Sequence, residues 1–173
     1  MKNIFTILIF LALSSCNSQR ITNSDRWKKT GNNKYDLENY QGAIQDYDKA
    51  IALNPRSTHA YYKRAIAKSA LNENLGAIQD YNKVVELEPG YIYAYYNRGI
   101  LKCVLKEYPG AIKDYSKAIE LDPDFILAYN NRGVSNFFLE NYLGAIKDYD
   151  KAIELDPEDP GIYLNSVFKK THN

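Results

Sequence analysis

The sequence predicts an all-α fold of stacked helical hairpins, and three observations predict it. Gly-Ala-Ile stands at Gly42-Ala43-Ile44, Gly76-Ala77-Ile78, Gly110-Ala111-Ile112 and Gly144-Ala145-Ile146, one copy every 34 residues. Asp-Tyr keeps the same phase at Asp46-Tyr47, Asp80-Tyr81, Asp114-Tyr115 and Asp148-Tyr149, and a proline closes each unit at Pro55, Pro89, Pro123 and Pro157. Within a unit the apolar residues recur at helical spacing, as Ala111, Ile112, Tyr115, Ala118 and Ile119 do. A fixed period of this size marks supersecondary units that bury their apolar faces only against their neighbours.

The chain opens with Lys2 and an apolar run from Ile4 to Leu13. The run is too short to span a bilayer and has the proportions of a signal peptide over residues 1–15. It ends Leu13-Ser14-Ser15-Cys16, which resembles the lipobox of bacterial lipoproteins. That resemblance implies cleavage before Cys16 and acylation of that residue. The protein is then exported and anchored in a membrane, the outer membrane facing the periplasm or the cell surface. With Asn17 rather than an aspartate after the cysteine, the inner-membrane retention signal of enterobacteria is absent. Residues 16–23 form a short polar tether, whose part from 17 to 23 reaches about 25 Å when extended.

Four repeats follow, at residues 24–57, 58–91, 92–125 and 126–159, each expected to be two antiparallel helices. In the third, the first helix is expected from about Ile92 to Leu105 and the second from about Pro109 to Leu121. Pro109 suits a first helical turn, where a missing N–H costs nothing. Leu121-Asp122-Pro123 stops the helix, because proline disfavours helical geometry in the residue before it. The small residues Gly99 and Ala111 let the two helices of that repeat approach closely. The glycine that starts every second helix is expected to serve close packing too. Arg64, Arg98 and Arg132 recur in first helices and Asp46, Asp80, Asp114 and Asp148 in second helices, so Arg–Asp pairs across the helix contact are expected. Residues 160–173 carry Ile162, Tyr163, Leu164, Val167 and Phe168 at near-helical spacing, which predicts a terminal helix capping the fourth repeat.

The pattern resembles the tetratricopeptide repeat. Its leading aromatic is Trp27, Tyr61, Tyr95 and Tyr129; its later Ala is Ala43, Ala77, Ala111 and Ala145; its second aromatic is Tyr47, Tyr81, Tyr115 and Tyr149. The family's Leu before the small residue is replaced by Thr30, Arg64, Arg98 and Arg132, and its later Tyr by Lys34, Lys68, Lys102 and Asn136. The resemblance implies a right-handed solenoid whose first helices line a concave, partner-binding face. The positions it assigns to that face hold Asp25, Lys28, Asn32 and Tyr35, then His59, Tyr62, Ile66 and Ser69. They continue with Tyr93, Tyr96, Ile100 and Cys103, then Leu127, Asn130, Val134 and Phe137. The face is thus expected to run from polar and basic to aromatic and aliphatic. Some family members clamp a chaperone's C-terminal carboxylate with Lys and Asn in the first repeat. Lys28 and Asn32 match that pair, but Lys63, Tyr93 and Asn97 depart from the rest, so no such clamp is expected.

Charge and chemistry narrow the function class. Twenty-two basic residues against 21 acidic ones leave a net charge of +1, which argues against a surface that tracks nucleic-acid phosphates. The two histidines, His59 and His172, have no catalytic partners at recurring positions, and no His, Cys or acidic residues have zinc-ligand spacing. One carboxylate per 34 residues makes no close acid pair. Cys103 sits in an apolar helical run and reads as a small hydrophobe. The expectation is a non-catalytic protein–protein interaction scaffold of the bacterial envelope, without cofactor or metal, which takes a segment of another protein. The alternatives are a glycan- or lipid-binding module, because aromatic grooves also stack sugars, or a self-associating structural lipoprotein.

Overall fold

Among the described residues, eight helices follow one another in four hairpins. They are α1 (Lys2–Asp36) with α2 (Tyr40–Leu53), α3 (Thr58–Ala70) with α4 (Asn74–Leu87), α5 (Ile92–Val104) with α6 (Tyr108–Leu121), and α7 (Ile126–Phe138) with α8 (Tyr142–Leu155). The structure is a computed structural model that describes residues 2–158, with side chains from residue 19 onward. The chain divides into two compact units, Met1–Leu87 and Glu88–Asn173. In the first, α1 packs on α2, α2 on α3 and α3 on α4; the second repeats this order from α5 to α8. The terminal helix expected from residue 160 lies outside the described residues.

The hairpin turns are built by the same residues in every copy. Glu38, Asn72, Lys106 and Glu140 take left-handed backbone, φ 58–60°. The next residue's N–H reaches back to close a six-residue turn, as Glu107 does to the Lys102 carbonyl at 2.8 Å. This is the Schellman geometry that usually recruits glycine, here imposed on residues with a Cβ. Asn39 and Asn141 then cap the second helices by accepting from Gly42 N and Gly144 N, while Pro109 starts α6. At the far end Asn54, Asp122 and Asp156 are extended, as residues before proline must be. Their side chains accept the N–H two residues on, from Arg56, Asp124 and Glu158, and so turn the chain into the next hairpin or past α8.

Residues 17–23 are helical within α1, and as a helix they reach about 10 Å. The glycines that begin the second helices divide in two, Gly42 and Gly144 lying against their own caps and Gly76 and Gly110 against a first-helix lysine. A Cβ at Gly42 or Gly144 would collide with the capping Asn39 or Asn141, and one at Gly76 or Gly110 would meet the stem of Lys68 or Lys102. Those glycines make room for a cap and for a salt-bridging lysine.

The tight helix–helix approach lies at the other small position. A Cβ on Gly31, Gly99 or Gly133 would stand 2.7 Å from Cε1 of Tyr47, Tyr115 or Tyr149. Each ring lies flat over the first helix of its own hairpin. Tyr47, Tyr81, Tyr115 and Tyr149 are 0–3% exposed and, with alanines such as Ala43, Ala111 and Ala118, they form the core. Burial pushes the Tyr149 phenol up to about 12, with the Asp148 charge adding to it, and Tyr47 and Tyr115 are pushed higher still. These rings are neutral packing groups, not acids or bases.

Candidate functional site

Two groups of side chains emerge from this frame: the ion-pair forks inside the hairpins, and the first-helix residues expected to meet a partner. The forks tie the first helix to the second in the second, third and fourth hairpins. Arg64, Arg98 and Arg132 each set two guanidinium nitrogens on the aspartate sixteen residues on, Asp80, Asp114 and Asp148. A second donor arrives one helical turn after each arginine. Lys68 and Lys102 reach Asp80 and Asp114 at 2.8 and 2.7 Å, and Asn136 reaches Asp148 at 3.0 Å. The expected Arg–Asp pairs are therefore present, with a third member. In the first repeat Thr30 replaces the arginine, and Lys34, 2.7 Å from Asp46, holds the carboxylate. Burial works against the Asp46 charge, but the ammonium groups of Lys34 and Lys49, at 2.7 and 3.5 Å, outweigh it and hold its carboxyl below the usual value.

Some arginines also reach the preceding hairpin. Arg64 donates to Asp48 on α2, and Arg132 to the Ser116 hydroxyl on α6 at 3.0 Å. Each stacks on its own leading aromatic, Arg64 over Tyr61, Arg98 over Tyr95 and Arg132 over Tyr129, at 5.4–5.5 Å. Two clefts open beside these forks. One of about 610 Å³ is lined by Tyr129, Arg132, Ile146 and Lys151, and one of about 360 Å³ by Tyr95, Arg98, Lys113 and Lys117. None of the residues expected on the binding face lines either cleft.

The expected binding face divides into exposed and anchored residues. In the first unit, Asp25 and His59 are exposed, while Lys28, Asn32, Tyr35, Tyr62, Ile66 and Ser69 are half-buried. Lys28 pairs with Asp25 at 2.7 Å, and partial desolvation of the His59 ring by the surrounding chain, together with Lys28 and Lys63, lowers its pKa even though the residue reaches solvent. Asn32 accepts the Tyr47 hydroxyl at 2.8 Å, Tyr35 meets Tyr40 edge-on at 5.2 Å, and Tyr62 meets Tyr81 edge-on at 5.8 Å. Asn32, Tyr35 and Tyr62 therefore serve their hairpins as well as any partner.

In the second unit, Tyr93 and Leu127 are 58% and 50% exposed. Tyr96 is the most constrained of the expected rings. It lies 4.9 Å from Phe125 and 6.0 Å from Tyr115, and its hydroxyl accepts from Asn131 at 3.1 Å. Ile100 and Cys103 pack against the buried cluster of Ala111, Tyr115, Ala118 and Ala128. Cys103 is more than a small hydrophobe: its sulfur accepts from the Tyr115 hydroxyl at 3.6 Å and lies 3.0 Å from the Ser135 hydroxyl. Asn130, Val134 and Phe137 are half-buried. The inner rings are thus neither sealed nor fully free; Tyr93 and Leu127 carry the accessible apolar surface.

Sequence reasoning missed an apolar group at the hairpin turns. Tyr108 stacks on Phe138 at 5.0 Å, Phe137 meets Tyr142 edge-on at 5.7 Å, and Phe138, Leu139, Tyr142 and Leu143 are 44–82% exposed. The signal was the recurrence of apolar residues on both sides of the left-handed turn residue, as at Leu37, Leu71 and Leu75. Among the described residues there is no group of three or more His, Cys, Asp or Glu able to hold a metal ion, and no helix long and apolar enough to cross a membrane.

Comparison with known proteins agrees with this architecture. Residues 92–125 and 126–159 match a family described as tetratricopeptide repeat, as do residues 58–91, and residues 31–72 match one described as TPR repeat. No curated protein matches the chain. A crystal structure of MamA is 29% identical, with a TM-score of 0.76 over 79% of this chain and 80% of that one. The first TPR of Spaghetti (RPAP3), solved bound to the HSP90 peptide SRMEEVD, is 28% identical, with a TM-score of 0.67 over 69% of this chain and 95% of that one. PilF of Pseudomonas aeruginosa is 19% identical, with a TM-score of 0.76 over 89% of this chain and 70% of that one, and this likeness concerns the fold alone. By its four repeats and their matches, the chain belongs to the tetratricopeptide repeat family.

Proposed function

We propose that this protein is a non-catalytic interaction scaffold of the bacterial cell envelope, held to its membrane through acyl chains on Cys16. Its first helices present a face to a segment of another envelope protein. The observation that carries the reading is the solvent exposure of Tyr93 on α5 and Leu127 on α7, large apolar side chains with about half their surface free. Amphipathic and apolar side chains left open on a rigid helical frame are the usual anchors of a partner. The RPAP3 repeat that resembles this chain holds a peptide in its own structure, which supports a peptide-like occupant here. The segment Leu13-Ser14-Ser15-Cys16 supports the anchor. Lys28, Asn32 and His59 add polar and basic contacts in the first unit, and Tyr93, Leu127 and Val134 apolar ones in the second.

The test uses the full chain to capture partners from a membrane extract, with Tyr93→Ser plus Leu127→Ser as the variant. Both residues are about half exposed, and Tyr93 meets Phe125 edge-on at 5.7 Å, so circular dichroism and the unfolding midpoint are measured alongside to verify that the variant stays folded. The reading expects the captured set to be lost. Retention of the same proteins at the same yield contradicts it.

A further inference from the structure

The near-zero net charge conceals a strong separation of charge within the first unit. Residues 19–33 and 49–63 carry seven Lys or Arg and a single acid, Asp25. Residues 34–48, between them, carry one lysine and four acids. The fold brings the two basic runs to the same end of the α1–α2 hairpin. Ser24 Oγ donates to the Ala50 carbonyl at 2.9 Å, and the Lys49 ammonium lies 4.0 Å over the Trp27 ring. The acidic run forms the opposite end, around Glu38 at the turn. α3 starts beside the basic end, where the His59 pKa is lowered by partial desolvation, by Lys28 and by Lys63.

The cations at this end are open. Arg20, Arg26, Lys29 and Arg56 are exposed, and no carboxylate among the described residues pairs with them. Elsewhere the half-buried Lys83, Lys117 and Lys151 are matched within one turn by Glu86, Glu120 and Glu154 at 2.6–2.8 Å, while the exposed Lys106, Lys113 and Lys147 have no ion pair among the described residues. The excess of cations is local: residues 88–158 carry eight basic and twelve acidic side chains. This basic end is also the one at which α1 arrives, as a continuous helix, from the apolar run Ile4–Leu13.

We propose that the basic end of α1–α3, formed by Arg20, Arg26, Lys29, Lys49, Arg56 and Lys63, docks on an anionic lipid surface. The complement is a bilayer of phosphate headgroups, which guanidinium and ammonium groups attract over about one Debye length. A helical neck of residues 17–23 holds these cations within that range of a membrane that receives the N-terminus. An acyl anchor and a basic patch are two signals that reinforce one another. The proposal borrows only its orientation from the anchored reading above.

The experiment uses the mature chain, residues 16–173 with Cys16→Ser, so that neither the apolar leader nor acylation contributes. Co-sedimentation is measured on vesicles of phosphatidylcholine alone and of phosphatidylcholine with one quarter phosphatidylglycerol, at 0.1 and 0.5 M salt. The charge-reversed variant is Arg20→Glu, Arg26→Glu and Arg56→Glu; the control is Lys83→Glu, Lys117→Glu and Lys151→Glu. Circular dichroism verifies that both stay helical. The expected result is partition about 10-fold or more stronger on anionic vesicles, weakened about 100-fold by the basic-end variant, reduced at high salt and kept by the control. Equal partition on both vesicle types overturns the proposal, as does an equal loss in the control or tighter binding to double-stranded DNA than to the vesicles. The anchor reading fails on a different readout, a native chain whose mass shows no acyl groups on Cys16.

Discussion

The Arg98 guanidinium forks onto the Asp114 carboxylate, with Nε 2.9 Å from Oδ2 and Nη2 on Oδ1, and Asp114 is 2% exposed. The fork ties α5 to α6 at the level where Gly99 meets Tyr115, so one hairpin is fixed both by a charge pair and by a ring. Arg98→Ala strands a buried carboxylate with Lys102 as its remaining cation. The expected loss is about 3 kcal/mol of unfolding free energy, read from urea denaturation. Arg98→Met with Asp114→Leu removes both charges and is expected to cost less than the single change. A single-variant loss near zero would mean that the fork is ornamental.

Asp46 makes the first hairpin sensitive to acid. Burial opposes its charge, but the Lys34 and Lys49 ammonium groups prevail, so its folded pKa lies below the unfolded one. The stability it contributes is complete above the ordinary carboxylate value and is lost as pH falls through the folded pKa. Comparing urea midpoints between pH 7 and pH 2 for the wild type and Asp46→Asn checks this. The variant is less stable at pH 7, and the difference between the two shrinks below about pH 4.

Gly99 and Ala65 occupy the same place in successive first helices and predict opposite experiments with one sign. Gly99→Ala places a Cβ 2.7 Å from the Tyr115 ring, and overpacking is expected to cost about 1–2 kcal/mol despite the better helix propensity of alanine. Ala65→Gly opens a fully buried site and loses about 1 kcal/mol in helix propensity. Thermal unfolding of both variants should show lowered midpoints.

Lys106 holds φ 60° at the α5–α6 turn. Lys106→Gly relieves that backbone and is expected to raise stability by about 0.5–1 kcal/mol. The same change at Lys113, in the middle of α6, should lower it by about 1 kcal/mol. Unfolding midpoints that move in the same direction would remove the turn argument.

Much of this architecture is legible in the sequence because it is periodic. Arg98, Lys102 and Asp114 stand at a fixed offset in successive repeats, and both substitutions that set this chain apart from the family's pattern converge on one aspartate. The small residue facing the buried tyrosine is legible for the same reason. What periodicity leaves out is which neighbour covers a given ring. Tyr96 reads as a groove residue by position, yet Phe125, supplied by the loop before α7, lies against one side of it. The aromatic group around Phe138 and Tyr142 went unread because turn residues are expected to be polar. The basic end escaped because the net charge averages over opposite ends of one hairpin.

The most direct test of the binding face places a photo-crosslinking residue at position 93 on α5, and separately at position 113, an exposed site on α6. Crosslinking is then triggered in intact cells that produce the full chain. The scaffold account predicts one recurrent protein adduct from position 93 and none from position 113. Adducts from position 113 with none from position 93 would contradict it.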